Sequence, residues 1–236
     1  DKENQAFRFP VQDIYKFTEE GDERRILAGT VRSGAVKVRD NVMFLPSGKR
    51  SSIASIEEFN VRPQDTAHEG EAIGFTLTEQ VYIKPGEMMV KADEAHPHIS
   101  NRFRANIFWM GKAPLIAGKN YKLKISSARV AVQVSEIASV IDALGLTGSG
   151  KKDQIDMYDV AEIIFETAKP IVFDPASEIE ETGRFVLVDD FEISAGGVIL
   201  EALAIDDTLV KGHVKDREYA WVRGIRLEER SSHYGH

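Results

Sequence analysis

From residue 7 to residue 90, apolar and polar positions alternate in short runs, each cut by a turn signal. Phe7-Arg8-Phe9-Pro10-Val11 opens the series as an extended lead-in whose proline suits an edge strand. Arg24-Arg25 lead into Ile26-Leu27-Ala28-Gly29-Thr30-Val31, which ends at Ser33-Gly34. Val36 and Val38 then alternate with Lys37 and Arg39, the period of a half-buried strand, until Asp40-Asn41 breaks it. Val42-Met43-Phe44-Leu45 is a short apolar strand closed by Pro46-Ser47-Gly48. Further strands are predicted at Ser52–Ile56, Ala72–Thr78 and, behind Pro85-Gly86, Met88–Val90. Many short strands with Gly and Pro turns between them predict a barrel or sandwich.

A polar joint follows, Lys91-Ala92-Asp93-Glu94-Ala95-His96-Pro97-His98, with no apolar period, and it reads as a solvated interdomain linker. Beyond it a second β-rich block extends from about Phe103 to about Val222. Phe103–Met110 is a strand, Tyr121, Leu123 and Ile125 alternate with Lys122, Lys124 and Ser126, and Val130, Val132 and Val134 continue the period. Val160–Phe165 and Arg184–Val188 are strongly β-forming. Two stretches leave the choice open. Val134, Ile137, Ala138, Ile141 and Leu144 fit a helix of about three turns as well as a strand, and Asp153–Asp159 fits a short helical turn. The expected organisation is a first barrel at 1–94, a second at 95–222, and a charge-dense then small-residue tail at 223–236 that reads as a linker.

Composition narrows the function. A chain of 236 residues accommodates two modules, and 42% hydrophobic with 29% charged residues describes a globular domain pair rather than a disordered segment. No apolar run approaches bilayer length, and no membrane partner is expected. The start, Asp1-Lys2-Glu3-Asn4, is neither a signal peptide nor a natural initiation site, so a piece of a longer chain is expected. With no cysteine, disulfides, thiolate zinc sites and cysteine nucleophiles are excluded, and a cytoplasmic location fits. A net charge of −8 argues against bulk nucleic-acid binding while leaving room for a local basic face.

The candidate chemistry is thin. Gly145-Leu146-Thr147-Gly148-Ser149-Gly150-Lys151-Lys152 has the G-x-x-x-x-G-K frame of a phosphate loop, but Lys152 stands where a hydroxyl must hold Mg²⁺, and Asp153 and Asp156 follow where phosphate would bind. It reads as a surface loop. His96 and His98 flank Pro97 with Asp93 and Glu94 near in sequence, but no third ligand is evident; His68 and His213 are isolated, and His233 and His236 lie in the tail. The acidic clusters Glu57-Glu58, Glu178 to Glu181 and Asp189-Asp190 read as solvated turns rather than a glycosidase pair, and no Ser sits in a G-x-S-x-G elbow. Arg24, Arg25, Arg32, Lys37 and Arg39 would form a positive patch if they fall on adjacent strands, or an ordinary outward face otherwise. Trp109 with Phe108, and Trp221 after Tyr219, are packing anchors. No catalytic, cofactor-binding or metal residue is assigned within the chain.

Local phrases carry a resemblance. Phe7 to Lys16, then Arg25 to Gly34 followed by Val38 to Val42 and Leu45 to Lys49, resemble the second domain of elongation-factor-like GTPases. Phe108-Trp109-Met110, Leu115 to Lys124, Ala168 to Pro175 and Glu181 to Asp189 resemble the third domain of the large, GTPase subunit of bacterial sulfate adenylyltransferase. Glu229 to His236 is similar to the lead-in to a fused adenylylsulfate kinase. The resemblance covers about residues 7 to 200 and implies a mainly β fold of two tandem barrels of the translation-factor domain 2 and domain 3 type. It implies a non-catalytic part of an enzyme that joins ATP to sulfate, giving adenylyl sulfate and pyrophosphate, with GTP hydrolysis helping to drive the step. GTP, ATP and Mg²⁺ would be held in other parts of such a parent, since no complete phosphate loop and no N-K-x-D motif occurs here. The implied partners are the small subunit, the parent's own GTPase domain and a following kinase domain. The alternative is the tRNA-binding second and third domains of a translation elongation factor, against which the net charge speaks.

Overall fold

The computed structural model describes residues 4–16, 21, 23–58, 61–141 and 153–204. The first block folds into a seven-stranded antiparallel sheet ordered β1-β9-β5-β6-β8-β3-β2. Its strands are β1 (Phe9–Pro10), β2 (Asp13–Lys16), β3 (Arg25–Thr30), β5 (Asn41–Leu45), β6 (Arg50–Glu57), β8 (Ala72–Leu77) and β9 (Met88–Lys91), with β4 (Ala35–Lys37) and β7 (Thr66–His68) as a separate pair.

One segment closes this sheet by changing partners along its length. Phe9 pairs with Met89 and Pro10 with Met88 on one side. Val11 then donates to the Glu87 carbonyl at 2.9 Å, Gln12 to the Ala28 carbonyl at 2.9 Å, and Asp13 to Lys16 run along Ala28 to Arg25 on the other side. The crossing is close. A Cβ on Gly29 would stand 2.5 Å from the Pro10 carbonyl oxygen and 3.1 Å from the Phe9 ring, so the strand can pass only over a glycine. Phe7, Phe9 and Phe75 fill the barrel, with Phe9 and Phe75 edge-to-face at 4.7 Å.

The second block is a closed six-stranded barrel in the order β10-β15-β13-β12-β16-β17, with β17 returning to β10. Its members are β10 (His98–Trp109), β12 (Tyr121–Ile125), β13 (Ala128–Ile141), β15 (Val160–Phe173), β16 (Arg184–Asp189) and β17 (Glu192–Ala202). Closure leaves no ladder edge unpaired. Phe103, Phe165, Phe173 and Phe185 meet in its core, where Trp109 stands edge-on to Tyr121 at 5.8 Å.

Residues 134–141 are strand, not helix. Bulges between Val134 and Glu136 and between Ile137 and Ser139 each insert an extra residue, so the inward positions Val134, Ile137 and Val140 fall three apart and imitate a helical stripe. Residues 153–159 also correct the expectation. Gln154–Ile155 form β14, paired with β11 (Leu115–Ile116), and a turn follows in which the Asp156 amide donates to Asp159 Oδ2 at 2.8 Å.

Candidate functional site

Among the described residues, those singled out in sequence do not converge. Gly145 to Lys151, Lys152, His213, Trp221, His233, His236 and the tail lie outside the described residues. His68 is exposed at the end of β7. His96 is half-buried with Nε2 3.3 Å from the Ala92 carbonyl, and His98 stacks on Phe173 at 6.1 Å. Among the described residues no three His, Asp or Glu side chains stand close enough to hold a metal ion.

Glu57 accepts from the Ser55 hydroxyl at 3.1 Å, Glu180 lies 3.8 Å from Arg184, and Asp189 is held by Lys119 at 2.9 Å. The basic set is divided. Arg25 opens β3 whereas Arg32 follows its far end, about 23 Å away at strand rise, and Lys37 lies on β4, paired only with β7. Trp109 is buried core, its Nε1 donating to the Ala113 carbonyl at 2.9 Å.

What the fold does build is the joint. Arg8 carries its guanidinium out of the first barrel and forks onto Asp174 of the second, Nε to Oδ2 at 3.0 Å and Nη2 to Oδ1 at 3.2 Å. Both side chains are nearly sealed from solvent, at 2% and 4% exposure. Arg8 also donates to the Phe7 and Ala95 carbonyls at 3.0 and 2.9 Å. Thr182, in the single helical turn α1 (Glu180–Gly183), donates to Asp174 Oδ2 at 2.7 Å. The buried charges therefore meet matched donors and acceptors, the condition under which burial is tolerated.

The supposed linker is part of this lock. Glu94 accepts from the Phe7 amide at 3.0 Å, and Pro97 is buried. An apolar seam lies beside it: Met43, Leu45, Met88 and Val90 turn their backs on the first barrel's core and pack with Val172 and half-buried Ile99. This explains why β5 reads as an unbroken apolar run, since both of its faces are covered. Sequence reading missed Arg8 and Asp174. The available signal was an arginine between two phenylalanines and an aspartate directly after Phe173, each a charge inside an apolar phrase.

Two charged recesses mark the surface. On the outer face of β2, β3 and β8, Ala28 and Gly74 floor a trench walled by Tyr15, Asp13, Glu57 and Glu58. Between the barrels, Lys49, Lys84, Arg129 and Lys169 surround a cleft of about 340 Å³ floored by Pro46 and Pro170. In the second barrel, the bond to Asp189 holds the Lys119 ammonium above the ordinary lysine range, and burial raises the Tyr121 phenol.

Two tandem barrels of this order have the fold of a class, the barrel pair of translation-factor-type GTPases. Residues 102–200 match the family described as GTP-eEF1A C-terminal domain-like. The crystal structure of Sup35 complexed with GDP superposes with a TM-score of 0.77 at 19% identity, covering 86% of this chain and 49% of that one. The chain is, more particularly, a homologue of sulfate adenylyltransferase subunit 1. It is 35% identical to the protein of that name from Teredinibacter turnerae over 206 residues, 86% of this chain and 43% of the relative. It is 32% identical to the one from Francisella tularensis over 205 residues, 85% and 42%. The chain thus spans less than half the length of the curated relatives it matches.

Proposed function

We propose that this chain is the two-barrel body of a GTP-dependent sulfate adenylyltransferase large subunit, and that its work is to hold other parts in place rather than to perform chemistry. In that enzyme a small subunit joins ATP to sulfate, forming adenylyl sulfate and pyrophosphate, while GTP hydrolysis in a separate domain drives the unfavourable step. The barrels give the GTPase domain faces to dock on in one nucleotide state and to leave in another, and give the small subunit a seat. A following adenylylsulfate kinase domain, the ATP and Mg²⁺ it would need, and a cytoplasmic location belong to the same proposal.

The observation that carries this reading is the Arg8–Asp174 fork in a homologue of subunit 1. A docking platform transmits force only if its two modules keep a fixed angle, and a buried bidentate pair backed by an apolar seam supplies that stiffness. The charged surfaces suit partners of opposite sign, the acidic trench a basic loop and the basic cleft an acidic one. Co-purification of the chain with the small subunit of the same organism, with and without the GTPase domain, tests it. A stable complex is expected in at least one case; no association in either would remove the docking role.

A further inference from the structure

Six of the eleven large hydrophobic side chains exposed among the described residues gather at one end of the second barrel: Phe108, Met110, Tyr158, Val160, Phe191 and Ile193. The ladder places them side by side. Phe108 is opposite Val160 in the β10–β15 register, and its ring stacks on Tyr158 at 6.2 Å. The Met110 amide donates to the Ser194 carbonyl at 2.7 Å, which sets Met110 beside Ile193. Phe191 stands at the tip of the β16–β17 hairpin and is fully exposed, at 103%. Contiguous apolar surface of this kind marks a contact with another macromolecule.

The backbone under it is strained in the same place. Asp190 and Phe191 have φ of 46° and 69°, and Tyr158 has φ of 71°. Asp189 pairs with Glu192, so Asp190-Phe191 is a two-residue hairpin loop with both residues at positive φ, where Asn-Gly or Asp-Gly is the usual choice. A bulky aromatic there is an outlier that folding does not ask for, since the ring touches solvent only. Strain of this type persists where function retains it. Around the apolar stripe, Asp156, Asp190 and Glu192 are exposed against Lys112, and Lys119 is taken up by Asp189.

We infer that this end of the second barrel is the seat of the small subunit, which would receive Phe191 in an apolar pocket rimmed by Lys and Arg; the inference rests on the docking role proposed above. A second observation favours a separate chain over a domain tethered ahead of the first barrel. The N-terminal segment Gln5–Phe9 lies at the joint, bonded to Glu178, Glu94 and Asp174. β10 runs from the joint to the stripe, so the two are about 36 Å apart at strand rise.

The test is isothermal titration of the 236-residue chain with the small subunit, alongside Phe191→Gly and Ile193→Asp, with melting and sedimentation of each. Phe191→Gly restores the usual hairpin residue and should melt at or above the parent temperature while weakening binding by about 30-fold or more, as loss of a central aromatic anchor does. Ile193→Asp should weaken it similarly with the fold intact. If the parent chain binds and both folded variants bind within about twofold of it, the stripe is not the seat, although the docking role stands. If the folded parent chain does not bind the small subunit, the inference fails; the docking role fails with it only if joining the GTPase domain does not restore binding. If the parent chain self-associates and the variants are monomers, a second copy covers the stripe and the inference is overturned.

Discussion

The two barrels reach closure by different means. The second closes on itself through strands of up to 14 residues, each paired on both sides. The first has strands of two to eight residues and depends on one segment, Arg8 to Lys16, that pairs with β9 and then with β3. That same segment supplies Arg8 to the joint. The first barrel therefore completes its own sheet and grips its neighbour with one stretch of chain, while the second would lose only a contact if the grip failed. Stability is expected to be asymmetric, with the joint and the first barrel rising or falling together.

The largest effect should come from cutting the grip. Arg8→Ala leaves Asp174 buried and unpaired, and Asp174→Ala does the same to Arg8; each is expected to cost about 3–5 kcal/mol. By calorimetry the parent should unfold in one transition, and either variant in two, the first barrel melting first. Arg8→Met with Asp174→Leu, which removes both charges, should recover most of the loss; failure to recover would place the stability in the geometry of the fork rather than in charge balance. A smaller effect separates the barrels through one kind of substitution. Gly29→Ala puts a methyl group against Pro10 and should cost about 1–3 kcal/mol, with faster hydrogen exchange confined to the first barrel. Gly196→Ala, where a Cβ meets nothing within 4 Å, should change stability by less than about 0.5 kcal/mol.

How much of this was legible in sequence follows the same division. Tyr121, Leu123 and Ile125 announced β12 because that strand has one buried and one open face, so its period is visible. Residues 134–141 hid theirs, because bulges that bend the barrel wall stretch the inward spacing from two to three. The joint was read as a solvated linker because its own residues are polar; what locks it is the pair Arg8 and Asp174, 166 residues apart, which meet only in the folded chain. The apolar stripe was invisible for a related reason. Phe108, Tyr158 and Phe191 each look like ordinary core residues until the register shows which face they occupy.

The finest probe of the comparison is alkaline pH, acting within the second barrel. Tyr121 points its ring into the core beside Trp109, while its hydroxyl oxygen accepts from the Ile116 amide at 3.1 Å, with Lys119 Nζ 5.4 Å from the ring centre. Burial favours the neutral phenol, so the folded form keeps its proton to higher pH than the unfolded chain does. The folded state then binds more protons than the unfolded one, and stability falls as pH rises past about 10. Lys119 acts in the same direction: its bond to Asp189 favours the protonated ammonium, and that stabilisation is present below the ordinary lysine value and lost above it. Tyr121→Phe should cost about 1 kcal/mol at pH 7 for the lost hydrogen bond. Between about pH 9.5 and 11 its melting temperature should fall less steeply than the parent's, since the titrating phenol is gone. Read in a Trp221→Phe background, where Trp109 is the remaining tryptophan of the two, the transition reports on the second barrel directly. An unchanged slope in Tyr121→Phe would assign the alkaline loss to Lys119 and Asp189 at the rim, and Lys119→Met should then flatten it.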